Sequence, residues 1–215
     1  GGAVSMWINP ITGGSSFIDL IGKDGTTVSE RSWRIVGLVA ASVPANSLQF
    51  FYKWAVTEGD WRTSANSVVA STWTHWCITY NAASSLNVPI IYRNGISLTL
   101  TTNAVPTGVD TNDAADPFEI GRVAQTFTRE QVSIEDVRAY TRILTNAEVT
   151  VLAGGYRGPM GGEVLWVQAH GPDGNLTTGT ANVFDLSGNG NHGTPQGGSS
   201  YVASFAPRLG RFKVG

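Results

Sequence analysis

Trp73-Thr74-His75-Trp76-Cys77-Ile78-Thr79-Tyr80, followed by Ile90-Ile91-Tyr92-Arg93-Asn94-Gly95-Ile96-Ser97-Leu98, is the stretch that decides the fold. In the first segment Trp76, Ile78 and Tyr80 share one parity, while Trp73, His75 and Cys77 share the other. A strand alternates its side chains between two faces, so bulk on both marks a central strand covered from both sides. In the second segment Asn94-Gly95 separates two apolar runs. Asn and Gly tolerate the positive φ that a two-residue type I′ hairpin requires. A covered strand beside a tight hairpin is the signature of a sheet protein.

The same period runs outward from there. In Trp33-Arg34-Ile35-Val36-Gly37-Leu38-Val39 the odd positions carry one face, and Leu48, Phe50, Tyr52 and Trp54 form a ladder with Gln49 and Lys53 between them. Further strands are expected at 5–8, 17–21, 118–122, 132–140, 164–168 and 183–186. Many short strands separated by turn residues make a sandwich or a barrel. One helix is predicted over 145–154. Thr145 and Glu148 have the spacing of a capping box, Val149, Val151 and Leu152 supply an apolar side, and Gly154-Gly155 ends it. The segment 156–162, Tyr-Arg-Gly-Pro-Met-Gly-Gly, reads as a linker.

Composition narrows the function. The 215 residues are 41% hydrophobic, with seven Trp, eight Phe and six Tyr, enough for a sizeable core. Charged residues are 14% and the formal net charge is −2, which excludes a nucleic-acid binder that works by neutralising phosphates. A run of about 18 apolar residues, the length that spans a bilayer, does not occur. Gly1-Gly2 in place of an initiator methionine points to a processed or trimmed chain. Cys77 is the lone cysteine, so an intrachain disulfide is impossible and a buried structural thiol is expected. Abundant Gly, Ser, Thr and Asn with little Lys suit a protein working outside a cytoplasm.

Three segments resemble the laminin-G-like, concanavalin-A-like jelly-roll family of secreted bacterial and phage structural proteins. They are Ser5-Met6-Trp7-Ile8-Asn9-Pro10; the Trp73–Tyr80 strand with its Tyr92-Arg93-Asn94-Gly95 hairpin; and Phe118-Glu119-Ile120-Gly121-Arg122 with Ile134-Glu135-Asp136-Val137-Arg138-Ala139-Tyr140-Thr141-Arg142-Ile143-Leu144-Thr145 and Glu148. The resemblance implies an all-β, two-sheet antiparallel jelly-roll sandwich whose main body is 1–155. A fourth match is displaced. Asp185-Leu186-Ser187-Gly188-Asn189-Gly190-Asn191-His192-Gly193-Thr194 resembles the family's opening turn, and Leu209-Gly210-Arg211-Phe212-Lys213-Val214-Gly215 the strand after it. The family order closes only when 163–215 precede the body. Three arrangements follow: the tail completes the sandwich in the same chain, completes it in a neighbouring copy, or begins a second domain.

Gly188-Asn189-Gly190-Asn191-His192-Gly193 fits the dinucleotide fingerprint literally, but Thr194-Pro195-Gln196-Gly197-Gly198 follows where a phosphate-holding helix is required. Retaining glycosidases need two carboxyls about 5 Å apart; the glucanase pattern E-x-D-x-x-E is absent, and Glu135 and Asp136, being adjacent, are expected on opposite faces. No G-x-S-x-G elbow accompanies the histidines, and His75, His170 and His192 lack zinc-ligand spacing. No cofactor is demanded. Calcium is the one candidate, through the oxygens of Asp185, Asn189 and Asn191. A sugar site would use Trp54 and Trp61, flanking the polar loop Glu58-Gly59-Asp60, together with Asp60. The resulting expectation is a non-catalytic structural or assembly protein, such as a capsid decoration, fibre or filament subunit that self-associates or docks on a surface. A carbohydrate-binding module is the alternative, and a glycoside hydrolase stands behind both.

Overall fold

In a computed structural model that describes residues 1–10, 17–24, 31–38, 45–111, 116–121, 132–168 and 183–195, the strand Gly2–Pro10 (β1) is the spine of one sheet. Its residues Ala3 through Ile8 are all buried, which a strand achieves only when both of its faces are covered. The others are β2 (Phe17–Asp24), β3 (Arg31–Leu38), β4 (Ser47–Tyr52), β5 (Gly59–Thr63), β6 (Thr74–Tyr80), β7 (Ile90–Arg93), β8 (Ile96–Ser97), β9 (Leu100–Ala104), β10 (Phe118–Ile120), β11 (Val132–Tyr140) and β12 (Glu163–Val167). Among the described residues one helix, α1, spans Asn146–Ala153. The first sheet runs β12-β11-β1-β6-β7-β8 and the second β10-β2-β3-β4-β5-β9. All pairings are antiparallel. This is the two-sheet jelly-roll sandwich expected from the sequence, with its one capped helix.

Between the sheets lie Met6, Ile8, Ile21, Ile35, Leu48, Phe50, Trp61, Trp76, Ile78 and Ile91, one parity of each strand. The other parity of the first sheet is covered too. Cys77, Tyr92, Tyr140 and Ala3 pack there beneath Val149 and Leu152 of α1. The helix starts as expected: Thr145 Oγ1 accepts from the Glu148 N–H at 3.3 Å while the Thr145 N–H donates to Glu148 Oε2 at 2.8 Å. The Asn94-Gly95 turn has φ of 51° and 82°, and the Asn94 side chain accepts from the His75 N–H at 2.9 Å, tying the hairpin to β6.

Three features depart from expectation. Strands β5 and β9 form where no strand was expected, and 183–186 contributes isolated bridges rather than a strand, with Val167 opposite Asp185 and Val183 opposite Gly193. In the β1–β11 pairing Ser5 faces Arg138 while Trp7 faces Glu135, so Asp136 and Val137 together oppose Met6. Asp136 takes φ of 51°. This bulge breaks the alternation, and the opposite-face expectation for Glu135 and Asp136 fails with it. Arg157 lies 3.2 Å from Glu135 Oε1 and 3.0 Å from Asp136 Oδ2, meeting both carboxylates at once.

Candidate functional site

Strand β5 sets the site because its indole turns inward. Trp61 pairs opposite Phe50 and stacks on it at 5.9 Å, with Tyr80 at 5.3 Å. Side chains alternate along a strand, so Asp60 and Arg62 must point out of the sandwich. On that outer face Arg34 lies opposite Phe51, and Phe51 opposite Asp60; beside them Gln49 lies opposite Arg62. The Arg34 guanidinium rests 4.2 Å above the Phe51 ring. Asp60 gathers three donors: Gln49 Nε2 at 2.7 Å on Oδ1, with Asn103 Nδ2 at 3.1 Å and Arg62 at 3.3 Å on Oδ2. Arg34, Phe51, Asp60 and Arg62 are half-buried, Gln49 is buried and Asn103 is exposed. The result is a fixed row of donors and acceptors across β3, β4, β5 and β9.

Of the expected sugar residues, only Asp60 therefore lies on the outer face, where its side chain keeps 13% of its exposure. Trp61 is 1% exposed and Trp54 3%, so neither offers a ring face to stack on a sugar. The loop reading of Glu58-Gly59-Asp60 concealed a strand start, and alternation from Gly59 onward carries the indole into the core. Trp54 is likewise spent internally, donating from Nε1 to the Tyr80 hydroxyl at 3.2 Å.

A second polar cluster sits on the outer face of the first sheet, under the 154–163 segment. Arg138, with a fully buried side chain, reaches Asp136 at 3.1 Å and Glu163 at 3.8 Å, donates to the Tyr156 and Gly158 carbonyls at 3.1 and 2.6 Å, and stacks 4.2 Å from the Trp166 ring. Trp166 Nε1 donates to Asp136 at 2.8 Å. Ser5 Oγ lies 2.9 Å from His75 Nε2, the first half of a hydrolytic triad. Both residues are 1% exposed, however, and His75 Nδ1 has no hydrogen-bond partner to orient the ring. Burial, reinforced by Arg138 and Arg157, pulls the His75 pKa down to about 3 and keeps it neutral. This cluster fastens the linker to the sheet.

The turn expected to hold calcium is occupied by its own backbone. Asp185 Oδ1 accepts from the Trp166 and Ser187 N–H groups, each at 2.9 Å. Oδ2 accepts from Ser187 Oγ at 2.8 Å and the Asn191 N–H at 3.0 Å. Four donors use the four lone-pair positions of a carboxylate, so Asp185 builds the turn and has nothing left for an ion. Burial pushes its pKa up, but the N–H donors of Ser187 and Trp166 outweigh that and hold the carboxyl below its usual range. Asn189 and Asn191 donate through Nδ2 to the Glu163 and Val164 carbonyls at 2.9 and 2.7 Å. They pin the turn to the edge of β12.

Between the sheets, on the side where β10 and β12 are edge strands, opens a cleft of about 760 Å³. Trp33, Tyr52, Phe118, Val164, Val167 and Val183 line it, and Asp110, Asp116, Asn191 and His192 add polar groups.

Residues 1–150 match the family model of the concanavalin A-like lectin/glucanases superfamily. The chain belongs to this superfamily. Its fold within the concanavalin A-like group also matches solved structures. A candidate carbohydrate-binding protein from Bacteroides ovatus aligns with a TM-score of 0.62 at 17% identity, over 87% of this chain and 50% of that one. The binding domain of botulinum neurotoxin serotype D aligns at 0.51 and 12%, over 71% of this chain and 36% of that one. A Trypanosoma rangeli sialidase aligns at 0.51 and 17%, over 71% and 22%. At these identities the likeness establishes the concanavalin A-like fold alone, and the chain spans half or less of each neighbour's length. No curated protein matches the sequence. Among the described residues no helix is long and apolar enough to cross a membrane.

Sequence reasoning missed Arg34, Gln49, Phe51, Arg62 and Asn103. The signal was present in the Leu48–Trp54 ladder, whose intervening positions Gln49 and Phe51 necessarily face outward. Assigning a strand to Gly59–Thr63 would have added Asp60 and Arg62 to the same face.

Proposed function

We propose that this domain is a non-catalytic recognition module that takes a glycan on the outer face of its second sheet. The row built from Arg34, Gln49, Phe51, Asp60, Arg62 and Asn103 carries the reading. Sugar hydroxyls donate and accept at once, and they are selected by fixed groups of both kinds. Here an acceptor carboxylate lies among amide and guanidinium donors, making charge-assisted hydrogen bonds stronger than neutral ones. The groups sit on paired strands and hold one another in place, so little ordering remains to be done on binding. The Bacteroides ovatus neighbour, itself a candidate carbohydrate-binding protein, supports the reading through the shared fold. A glycan array on the full chain tests it. Binding that disappears in Asp60→Ala and Arg34→Ala, with both variants still folded at the assay temperature by circular dichroism, supports the site. An array without hits removes the glycan.

A second reading, an assembly subunit on an extracellular or virion surface, draws on a different observation. Phe184 and Leu186 are 62% and 48% exposed on the segment bridged to the edge strand β12. Apolar side chains along a sheet edge favour contact with another protein. Sedimentation of the wild type and Phe184→Ser tests this: a concentration-dependent oligomer lost in the variant supports assembly, and a monomer at all concentrations removes it.

A further inference from the structure

We infer that the cleft between β10 and β12 is the seat of this chain's own residues 196–215, which close the open side of the sandwich in cis. The inference concerns the space between the sheets and is independent of the glycan reading on the outer face.

The cleft needs an apolar occupant, because Trp33, Phe118, Val164, Val167 and Val183 line it from both sheets. The opposite side of the sandwich is already filled by Trp61, Trp76 and Ile91, each 1% exposed or less. Among the described residues β10, three residues long, pairs with β2 and stands at the edge of its sheet. The chain itself arrives at this place. Asn191, His192 and Gly193 line the cleft, and twenty residues follow Pro195.

The tail has the right pattern. In Leu209-Gly210-Arg211-Phe212-Lys213-Val214 one parity carries Phe212 and Val214, the other Arg211 and Lys213. A strand with that alternation covers an apolar surface on one face and meets water on the other. At about 3.3 Å per residue those six residues span roughly 20 Å, the length of an ordinary strand. Residues 196–208 are ample as the connection. The domain arrangement that follows is one sandwich completed by 163–215.

The tail carries its own reporters, because trypsin cleaves after Arg208, Arg211 and Lys213. Native full-length chain, held dilute and shown monomeric by sedimentation, is expected to lose its tail at least about 100-fold more slowly than the urea-unfolded chain, as for a site reached only by local opening. Phe212→Asp is expected to restore rapid tail cleavage while 1–195 stays resistant. Rapid cleavage in the native wild type would overturn the inference. So would protection that vanishes when a dimer is diluted to monomer, which would place the tail in a second copy. Protection unaffected by Phe212→Asp would overturn it too, since the apolar face would then not be what seats the strand.

Discussion

Trp61 closes over Gly59 so tightly that a Cβ on Gly59 would collide with the indole. The contact explains why a glycine opens β5, and it puts a number on the core. Trp61→Ala removes a fully buried ring stacked between Phe50 and Tyr80 and should cost about 3–5 kcal/mol in urea unfolding. Gly59→Ala should destabilise through the same clash, whereas Asp60→Ala, which takes the acceptor from the buried Gln49 amide, should cost about 1–3 kcal/mol, leave the chain folded and act on binding. His75 supplies a prediction in pH. Its folded pKa is about 3, against an ordinary 6.5. Between those values the unfolded chain binds the extra proton, so stability is fully present above 6.5 and falls as pH drops towards 3. The slope due to this group approaches about 1.4 kcal/mol per pH unit. Unfolding free energies measured across that window should lose the slope in His75→Gln; an unchanged slope would refute the assignment. That His75 is buried was readable from its place among Trp73, Trp76 and Cys77. Its Ser5 partner was not, because seventy residues separate them in sequence.

Elements carry their own arithmetic. The α1 capping box satisfies two backbone donors that would otherwise be unpaired, and Thr145→Ala should lower stability by about 1 kcal/mol, seen as a reduced melting temperature. Arg142, then Thr145, holds the Glu148 carboxyl down at about 2, against its ordinary 4.5. That contribution is present above 4.5 and lost as pH falls through 2, below most of the His75 window, so the two limbs separate in the same titration. Glu148→Gln should flatten only the lower one. The helix and its cap were legible because a capping box is a local device with fixed spacing. The hairpin was legible for the same reason, Asn94-Gly95 being a local turn signal. Strands β5 and β9 were not. Each is five residues long and carries polar residues at most positions, so pairing with neighbours rather than propensity holds it in place. The β11 bulge escaped for a related reason: a one-residue slip is decided by the partner strand, and it moved Asp136 to the face of Glu135.

At the scale of the whole molecule, the sandwich was legible and the proposed binding face was not. Period-two patterning shows which residues alternate, but it does not show which parity faces the core when both are bulky. In β5 the sequence offers Trp61 against Asp60 and Arg62, and only the stacking of Trp61 on Phe50 settles the direction. The Asp185 turn shows the converse. Its oxygens resemble a calcium set in sequence, and folding spends them on four backbone and side-chain donors. Among the described residues, the outer face of the second sheet arranges half-buried charges and amides in a row. Titration of the full-length wild type and Asp60→Ala against glycans selected on an array, followed by calorimetry, tests that surface most directly. Saturable binding by the wild type, lost in an Asp60→Ala variant that is still folded at the assay temperature, is the expected result. A glycan bound equally well by both proteins would contradict it.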